Sequence, residues 1–374
     1  MAITKVSVEE FLVLSKKNPV LDVRSPGEFS QAHLPGAYSL PLFTDEERKV
    51  VGTAYKQESR QKAIKLGLDF YSSKMVKLVE EVEAICKLPG TGPAHQNMNN
   101  GASNGREIPS SHSPIVLVHC WRGGMRSAGV AWLLDLYGFK VYTLDGGYKA
   151  YRNWVLEQFK KEYPINILGG FTGSGKTEIL DALRKNKQQV IDLENIASHK
   201  GSAFGNLGLP KQPSQEMFEN LLAGELAKRI SLLEENEFIW LEDESQRIGE
   251  VNIPVAFFNT MRTKQVYFLE IPFEKRLDFI VANYGKFEKD KLVNAIIRIK
   301  KRLGGLETKL AVNFLLEDNV KECFRVLLTY YDKFYLRSLQ NRDNFSSLFN
   351  KLNCEEVNAD KNSRLLKKFV GFSK

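Results

Sequence analysis

Short apolar runs, each ending in a polar or glycine-rich turn, recur along this chain and set its secondary structure. PVLDVRS (19–25), PIVLVHC (114–120) and KVYTLDGGY (140–148) read as buried strands. SAGVAWLLDLYGF (127–139) reads as the helix between the last two. Pro26 stands where a helix opens after the first strand, with Glu28 and Phe29 behind it. HLPGAYSLPL (33–42) reads as a loop and a short strand, and 44–87 as helices broken at a glycine. Thr44 and Glu47 have capping-box spacing. Strand–helix–strand alternation of this kind predicts a parallel sheet with crossover helices.

The same pattern starts again at INILGGFTGSGKTEILDALRK (165–185), again strand, turn and helix. QQVIDLEN (188–195), EFIWLEDES (237–245) and KQVYFLEIP (264–272) supply further strands, and from 273 to the end the periodicity is mostly helical. The predicted organisation is a parallel-sheet α/β domain over 1–155, a second α/β domain over 160–272 and a helical region over 273–374. LPGTGPAHQNMNNGASNGREIPSSHS (88–113) is too poor in apolar residues to pack and reads as a disordered surface insertion.

Composition sharpens this only in part. The 374 residues are 43% hydrophobic and 26% charged, as in an ordinary soluble protein. A net charge of +8 and a pI near 9.1 fit a nucleic-acid or polyphosphate partner, and fit equally a basic protein with no such partner. The four cysteines, Cys86, Cys120, Cys323 and Cys354, form no CxxC pair and no zinc-ligand cluster, so no metal site is expected. A reducing compartment follows. The N-terminus has no apolar signal-peptide core, and no apolar run is long enough to span a bilayer. The expectation is a cytoplasmic protein with no membrane contact.

Two loops carry candidate chemistry. Gly170-Phe-Thr-Gly173-Ser174-Gly175-Lys176-Thr177 matches G-x-x-x-x-G-K-[ST] between a strand and a helix. Its glycines let backbone N–H groups turn around phosphate oxygens, Lys176 reaches a terminal phosphate and Thr177 can hold Mg²⁺. Glu242 and Asp243 end a later strand, where an acidic partner of such a loop would stand. The motif does not say whether the ligand is a nucleotide or another diphosphate.

His119-Cys120 followed by five residues and Arg126 spells H-C-x5-R. A cysteine that ends a strand and opens a turn into a helix meets inward N–H groups, a helix N-terminus and Arg126, all of which favour its thiolate. Arg122, Gly123, Gly124 and Met125 complete the anion loop. The other three cysteines have no such surroundings. A cysteine phosphatase and a sulfur or selenium carrier share this design.

The segments LDVRSPGEFSQAHLPGAYSLPL and CWRGGMRS resemble a rhodanese domain, with a loop one residue longer than the usual sulfurtransferase loop. Together with LFTDEERKVVGTAYKQESRQKAIKLG (42–67), GGYKAYRNWV (146–155), GGFTGSGKTEIL, DLENIASHKGSAFG (192–205), QPSQEMFEN (212–220), LEDESQRIGEVNIP (241–254) and RIKKRLGG (298–305), they resemble the tRNA 2-selenouridine synthase family, collinearly over nearly the whole chain. Two features depart from it: the insertion at 88–113, and Ser198 and Lys200 where Asn and Arg are expected. Lys200 keeps the charge but not bidentate phosphate geometry.

The resemblance implies a rhodanese-like parallel-sheet domain followed by a P-loop NTPase-like α/β domain with a helical C-terminal region. It implies a tRNA-modifying transferase that replaces the sulfur of a wobble 2-thiouridine with selenium from selenophosphate, through an S-geranylated intermediate made from geranyl diphosphate. The P-loop would hold the diphosphate, with Mg²⁺ as an optional partner and no tightly bound cofactor. Cys120 would receive or relay selenium, with Arg122 and Arg126 on the oxyanion. tRNA is the expected macromolecular partner, and selenophosphate synthetase a candidate one. His199, Lys200, Arg298, Lys301 and Arg302 are candidate tRNA contacts; Leu292, Ile296, Ile299 and Leu303 form the apolar face opposite the last three. The rival readings are a cysteine phosphatase, a small-molecule kinase with an inactive appendage, and a non-catalytic tRNA-binding protein.

Overall fold

Runs of Val, Leu and Ile become the central strands of two five-stranded parallel sheets. The computed structural model describes residues 3–88 and 113–371. The chain forms two compact units, Met1–Glu157 and Gln158–Lys374. The expected disordered insertion at 88–113 falls, but for its end residues, outside the described residues.

The first unit runs β1 (Thr4–Val6), α1 (Val8–Ser15), β2 (Val20–Asp22), α2 (Pro26–Gln31), β3 (Tyr38–Ser39), α3 (Asp45–Gln57), α4 (Arg60–Ser72), α5 (Met75–Lys87), β4 (Ile115–His119), α6 (Met125–Tyr137), β5 (Lys140–Leu144) and α7 (Gly147–Gln158). Its strand order is β1-β5-β4-β2-β3, every pair parallel. The chain leaves β4 toward one edge and β2 toward the other. This reversal opens a crevice at the carboxyl ends of those two strands, the usual ligand position in an open α/β sheet. Cys120 lies there.

Local signals behave as their chemistry requires. Pro26 is the first residue of α2, and Thr44 Oγ1 accepts from Glu47 N at 3.2 Å while Glu47 Oε2 accepts from Thr44 N at 2.9 Å. The expected glycine break in 44–87 is not where the helices end. Gly52 and Gly67 lie inside α3 and α4, and the chain turns instead at Glu58–Ser59 and Ser73–Lys74. Ser59 caps α4 through its hydroxyl, a signal that outranks an isolated glycine.

The second unit runs β6 (Ile165–Gly170), α8 (Lys176–Lys185), β7 (Gln189–Val190), α9 (Leu193–Ala197), α10 (Gln215–Ile230), β8 (Ile239–Glu242), β9 (Arg247–Ile248), β10 (Val251–Asn252), α11 (Val255–Arg262), β11 (Val266–Glu270), α12 (Phe273–Tyr284), α13 (Lys289–Arg298), α14 (Lys300–Leu303), α15 (Gly305–Leu316), α16 (Val320–Gln340), α17 (Phe345–Leu348), β12 (Phe349–Asn353) and α18 (Ala359–Val370). The main sheet has the order β12-β11-β6-β8-β7, all parallel; β9 and β10 form a small antiparallel ribbon. The reversal of direction falls between β6 and β8, so the phosphate loop after β6 and the acidic residues after β8 share one crevice.

Two expectations change here. The strand read at 188–195 is only Gln189–Val190, because Asp192 caps α9 by accepting from Asn195 N at 2.8 Å. The region read as helical from 273 contributes β12, paired in parallel with β11 from Val266↔Phe349 to Glu270↔Asn353. The helical spacing expected of Leu292, Ile296, Ile299 and Leu303 is broken at Ile299 into α13 and α14; Leu292, Ile296 and Leu303 are still buried.

Candidate active site

In the first unit the backbone around Cys120 is held by glycines and by the start of α7. Gly123 has φ +63°, and a Cβ there would lie 2.7 Å from Leu144 O. Gly147 has φ +60°, and a Cβ there would lie closer to both Cys120 O and Gly123 N than any side chain allows. Tyr148 N donates to Cys120 O at 2.8 Å and Lys149 N to Trp121 O at 2.9 Å. The loop's carbonyls are thereby turned to α7, which leaves its N–H groups for the cysteine side.

Cys120 is buried, and its Sγ lies 3.2 Å from Ser127 Oγ in the first turn of α6. Burial works against the thiolate, but the Ser127 hydroxyl and N–H, the Arg126 charge and the Arg122 N–H outweigh it and hold the thiol below its ordinary range. The other cysteines move the opposite way. Burial raises Cys86, pushes Cys354 up to about 11 and Cys323 up to about 12.

The other residues expected here occupy distinct positions. Arg122, Gly124 and Met125 are exposed at the loop's rim. Arg126 donates from Nη1 to Glu28 Oε2 at 2.9 Å, and Arg48 Nε donates to the same oxygen at 2.9 Å. Glu28 was legible as a helix-start residue, but this ion pair joins positions 98 residues apart and has no signature in sequence. His119 is fully buried beside Asp22, and desolvation holds its imidazole neutral. Asp22 itself is paired with buried Arg24, whose guanidinium lies 3.8 Å from the centre of the Tyr148 ring. This pair braces the crevice from beneath.

A cavity of about 990 Å³ opens from Cys120 and its loop between α3, α4 and α6. Most of its wall is hydrocarbon, from residues such as Phe43, Val51, Ile64, Leu68, Tyr71 and Trp132. Nothing in the hydrophobic periodicity announced it.

In the second unit Gly170, Gly173 and Gly175 have φ of +154°, +80° and +72°, the freedom that a loop wrapping an anion needs. Lys176 begins α8 and donates from Nζ to Gly170 O at 3.1 Å. The Ser174 hydroxyl is buried with no hydrogen-bond partner. Thr177 Oγ1 donates to Glu194 Oε2 at 3.3 Å, and Glu194 N donates to Glu242 Oε1 at 2.8 Å.

The two candidate acidic partners separate. Glu242 faces the loop: it is buried, its Oε2 has no partner, and desolvation with Asp192, Glu194 and Glu244 nearby holds its carboxyl well above the ordinary range. Asp243 is occupied elsewhere. Its Oδ2 accepts from Tyr335 Oη at 2.8 Å and its Oδ1 is paired with Arg342. Tyr335 Oη in turn accepts from Gly170 N at 3.2 Å, so α16 braces the first glycine of the loop. Buried Arg276 braces the next turn, donating to Thr172 O at 3.0 Å while paired with Asp332. Glu194, Tyr335, Arg342 and Arg276 escaped sequence reasoning because they come from three distant segments, α9, α12 and the end of α16, with no shared spacing.

His199 is buried; desolvation, then Arg298, lowers its pKa. Lys200 Nζ stands 5.7 Å from the centre of the Tyr284 ring, and Lys200 acts on Glu194 electrostatically. Arg298, Lys301 and Arg302 are exposed, with Arg298 Nη2 donating to Asn206 Oδ1 at 3.4 Å. Among the described residues no three His, Cys, Asp or Glu side chains converge as a metal cage, and no helix is long and apolar enough to cross a membrane.

Comparison with known proteins bears on both units. Residues 163–363 match the model of the tRNA 2-selenouridine synthase AAA domain. A tRNA 2-selenouridine synthase of Sulfurovum sp. (strain NBC37-1) is 32% identical over 380 residues, covering 93% of this chain and 95% of the relative. That of Nitrosomonas europaea is 32% identical, covering 87% and 90%, and that of Pseudomonas syringae pv. tomato 36% identical, covering 77% and 76%.

Proposed function

Because this chain belongs to the tRNA 2-selenouridine synthase family, we propose that its phosphate loop and its cysteine loop carry two successive steps at one tRNA base. The protein is an enzyme that modifies the wobble uridine of tRNA with selenium, and selenophosphate is the selenium donor such an activity implies. The observation that carries the division into steps is the contrast among the cysteines. Cys120 is the one thiol of four held below its usual range, in a different unit from the diphosphate loop.

In the first step the thiouridine sulfur attacks C1 of geranyl diphosphate. An S–C bond forms, the C–O bond breaks, diphosphate leaves with the electron pair, and the base gives up its N3 proton. Backbone N–H groups of Gly170–Thr177, the start of α8 and Lys176 stabilise the leaving group. Thr177, with Glu194 and Glu242 behind it, would hold a hard cation such as Mg²⁺ beside the diphosphate. Such a cation would add charge neutralisation.

In the second step selenium replaces the geranylthio group. Selenophosphate holds selenium at the selenide level, so a perselenide on Cys120 would require an oxidant. A covalent role for Cys120 balances without one. Its thiolate adds at C2 of the base, a C2–Sγ bond forms, and the C2–S bond to the geranyl sulfur breaks. The geranylthiolate leaves and takes up a proton. Selenium of selenophosphate then bonds to C2, Sγ departs as thiolate, and water cleaves the Se–P bond to give phosphate and the selenonucleoside. Arg122 and the loop N–H groups hold the donor's oxyanion, and Arg126 favours the thiolate. Exposed Lys200, Arg298, Lys301 and Arg302 are assigned to tRNA phosphates, whereas His199, also a candidate in sequence, is buried and is not.

The test supplies purified protein with tRNA bearing a wobble 2-thiouridine, then geranyl diphosphate, then selenophosphate, and reads nucleosides by mass spectrometry. Lys176→Ala should abolish the geranylated product, and Cys120→Ser should accumulate it without selenation. Loss of both steps in each variant would overturn this division.

A further inference from the structure

The cavity beside Cys120 is larger and more apolar than a phosphate-sized selenium donor needs. At about 990 Å³ it reaches the upper end of the roughly 300–1,000 Å³ range of sites for whole organic ligands. Selenophosphate is a small anion, and the phenyl, indole and aliphatic groups that make up most of the wall give it no partner. A thiolate loop working on that anion alone would line its surroundings with donors.

The helices forming the wall carry glycine where nothing in the backbone requires it. Gly52 in α3, Gly67 in α4 and Gly129 in α6 all line the cavity, and none has a positive φ. A helix-interior glycine is unfavourable relative to alanine. At Gly52 a Cβ would meet nothing within 4 Å, so the missing side chain leaves open space rather than relieving a clash. The same cavity is also lined by exposed Arg48, Lys49 and Lys56 of α3 and Arg122 of the loop, together with Arg126. A mostly hydrocarbon cavity that also carries several cations suits an apolar group attached to a polyanion. It does not suit a free lipid or an apolar face of a protein.

We propose that this cavity holds the hydrocarbon chain of the S-geranylated wobble base, seating C2 of that base against Cys120 Sγ while its cations take the flanking tRNA phosphates. The proposal rests on the geranylation reading above. It assigns the chain, after transfer, to the cysteine unit and not to the diphosphate loop that delivered it. It also gives the intermediate a means of being recognised. The unmodified thiouridine offers this site no hydrocarbon, so the bulky substituent itself selects the base for selenation.

The experiment compares two synthetic tRNAs as selenation substrates of the full-length protein, one with S-geranyl- and one with S-methyl-2-thiouridine at the wobble position, each with selenophosphate. Wild type should convert the geranyl substrate with at least about tenfold higher kcat/KM, since even single methylenes in an apolar pocket discriminate on that scale. Gly52→Leu, which fills the cavity, should lose this preference by about tenfold or more and change the methyl substrate by less than about threefold. Leu68→Glu charges an exposed lining position and burdens folding little; it should do the same. Equal conversion of both substrates by wild type, or equal losses on both in the two variants, overturns the proposal and leaves geranylation standing. Failure of wild type to convert the geranyl substrate at all, with the methyl substrate converted, overturns both.

Discussion

Arg126 Nη1 stands 2.9 Å from Glu28 Oε2, so the arginine of the H-C-x5-R motif is committed to a carboxylate at the start of another helix. Arg48 shares that carboxylate. Burial disfavours the Glu28 charge, yet Arg126 and Arg48 win and hold its pKa below the ordinary value. Glu28→Gln should therefore leave two uncompensated cations near Cys120 and speed its alkylation by iodoacetamide, while Arg126→Ala should slow it. Ser127→Ala, which removes the hydroxyl at 3.2 Å from Sγ, should slow it by roughly tenfold at neutral pH, the scale of a lost hydrogen bond to a charged group. Shifts of the same sign in Glu28→Gln and Arg126→Ala would refute this arrangement. The sign also fixes a pH effect. A depressed carboxyl stabilises the fold above its unfolded pKa, so the pair's contribution fades as pH falls through the lower, folded value.

Gly147→Ala should be among the most damaging single-methyl changes in the first unit. The new Cβ would be driven into Cys120 O and Gly123 N at a φ of +60°. Left-handed strain alone costs about 1–2 kcal/mol, and the clash adds to it. Selenation should be lost and the melting temperature lowered. Gly124→Ala, where a Cβ meets nothing within 4 Å, provides the comparison and should melt near wild type.

Tyr335→Phe should act on the diphosphate step without touching substrate. It removes a hydroxyl that accepts from Gly170 N and donates to Asp243 Oδ2, leaving two buried groups short of a partner. The expected loss is about 1–3 kcal/mol of stability, with a raised KM for geranyl diphosphate. An unchanged KM would show that α16 does not set the loop's shape.

The carboxylates behind the phosphate loop predict a stability that declines toward alkaline pH. Desolvation, then Glu194, pushes Glu244 up to about 8. A carboxyl whose folded pKa exceeds its unfolded one binds its proton more tightly when folded, so stability falls as pH rises from near 4.5 and levels off above about 8. Glu244→Gln should flatten that slope in denaturant titrations at several pH values, and an unchanged slope would place the titration elsewhere.

The parts legible in sequence were those written by local rules. The strands at 114–120 and 165–170, the Thr44 cap, Pro26 and both glycine loops follow from periodicity, side-chain hydrogen bonding and φ freedom acting over a few residues. The remainder is made by tertiary proximity. Glu28 meets Arg126, Tyr335 meets Gly170, and Arg342 withdraws Asp243 from the phosphate loop while Glu242 stays. No spacing encodes those pairs. β12 was read within helix because its five residues, FNKLN, have little apolar content; pairing with β11 supplies the missing preference. Gly52 shows the converse failure. It is one of two glycines in a stretch read as helices broken at a glycine, yet it lies inside α3, and the open space beside it is visible only in the structure.

The edge strand β12 also sets an order of events during synthesis. β11 has β6 on one side as soon as residue 270 is made, but its other side stays unpaired until residues 349–353 arrive. For the translation of nearly eighty residues the nascent second unit therefore exposes an open strand edge of Val266, Tyr267, Phe268 and Leu269, the kind that templates aggregation. A chain that terminates early by stop codon or proteolysis before 349 keeps that edge permanently, and its fate should be decided by chaperones and proteases rather than by loss of any catalytic group.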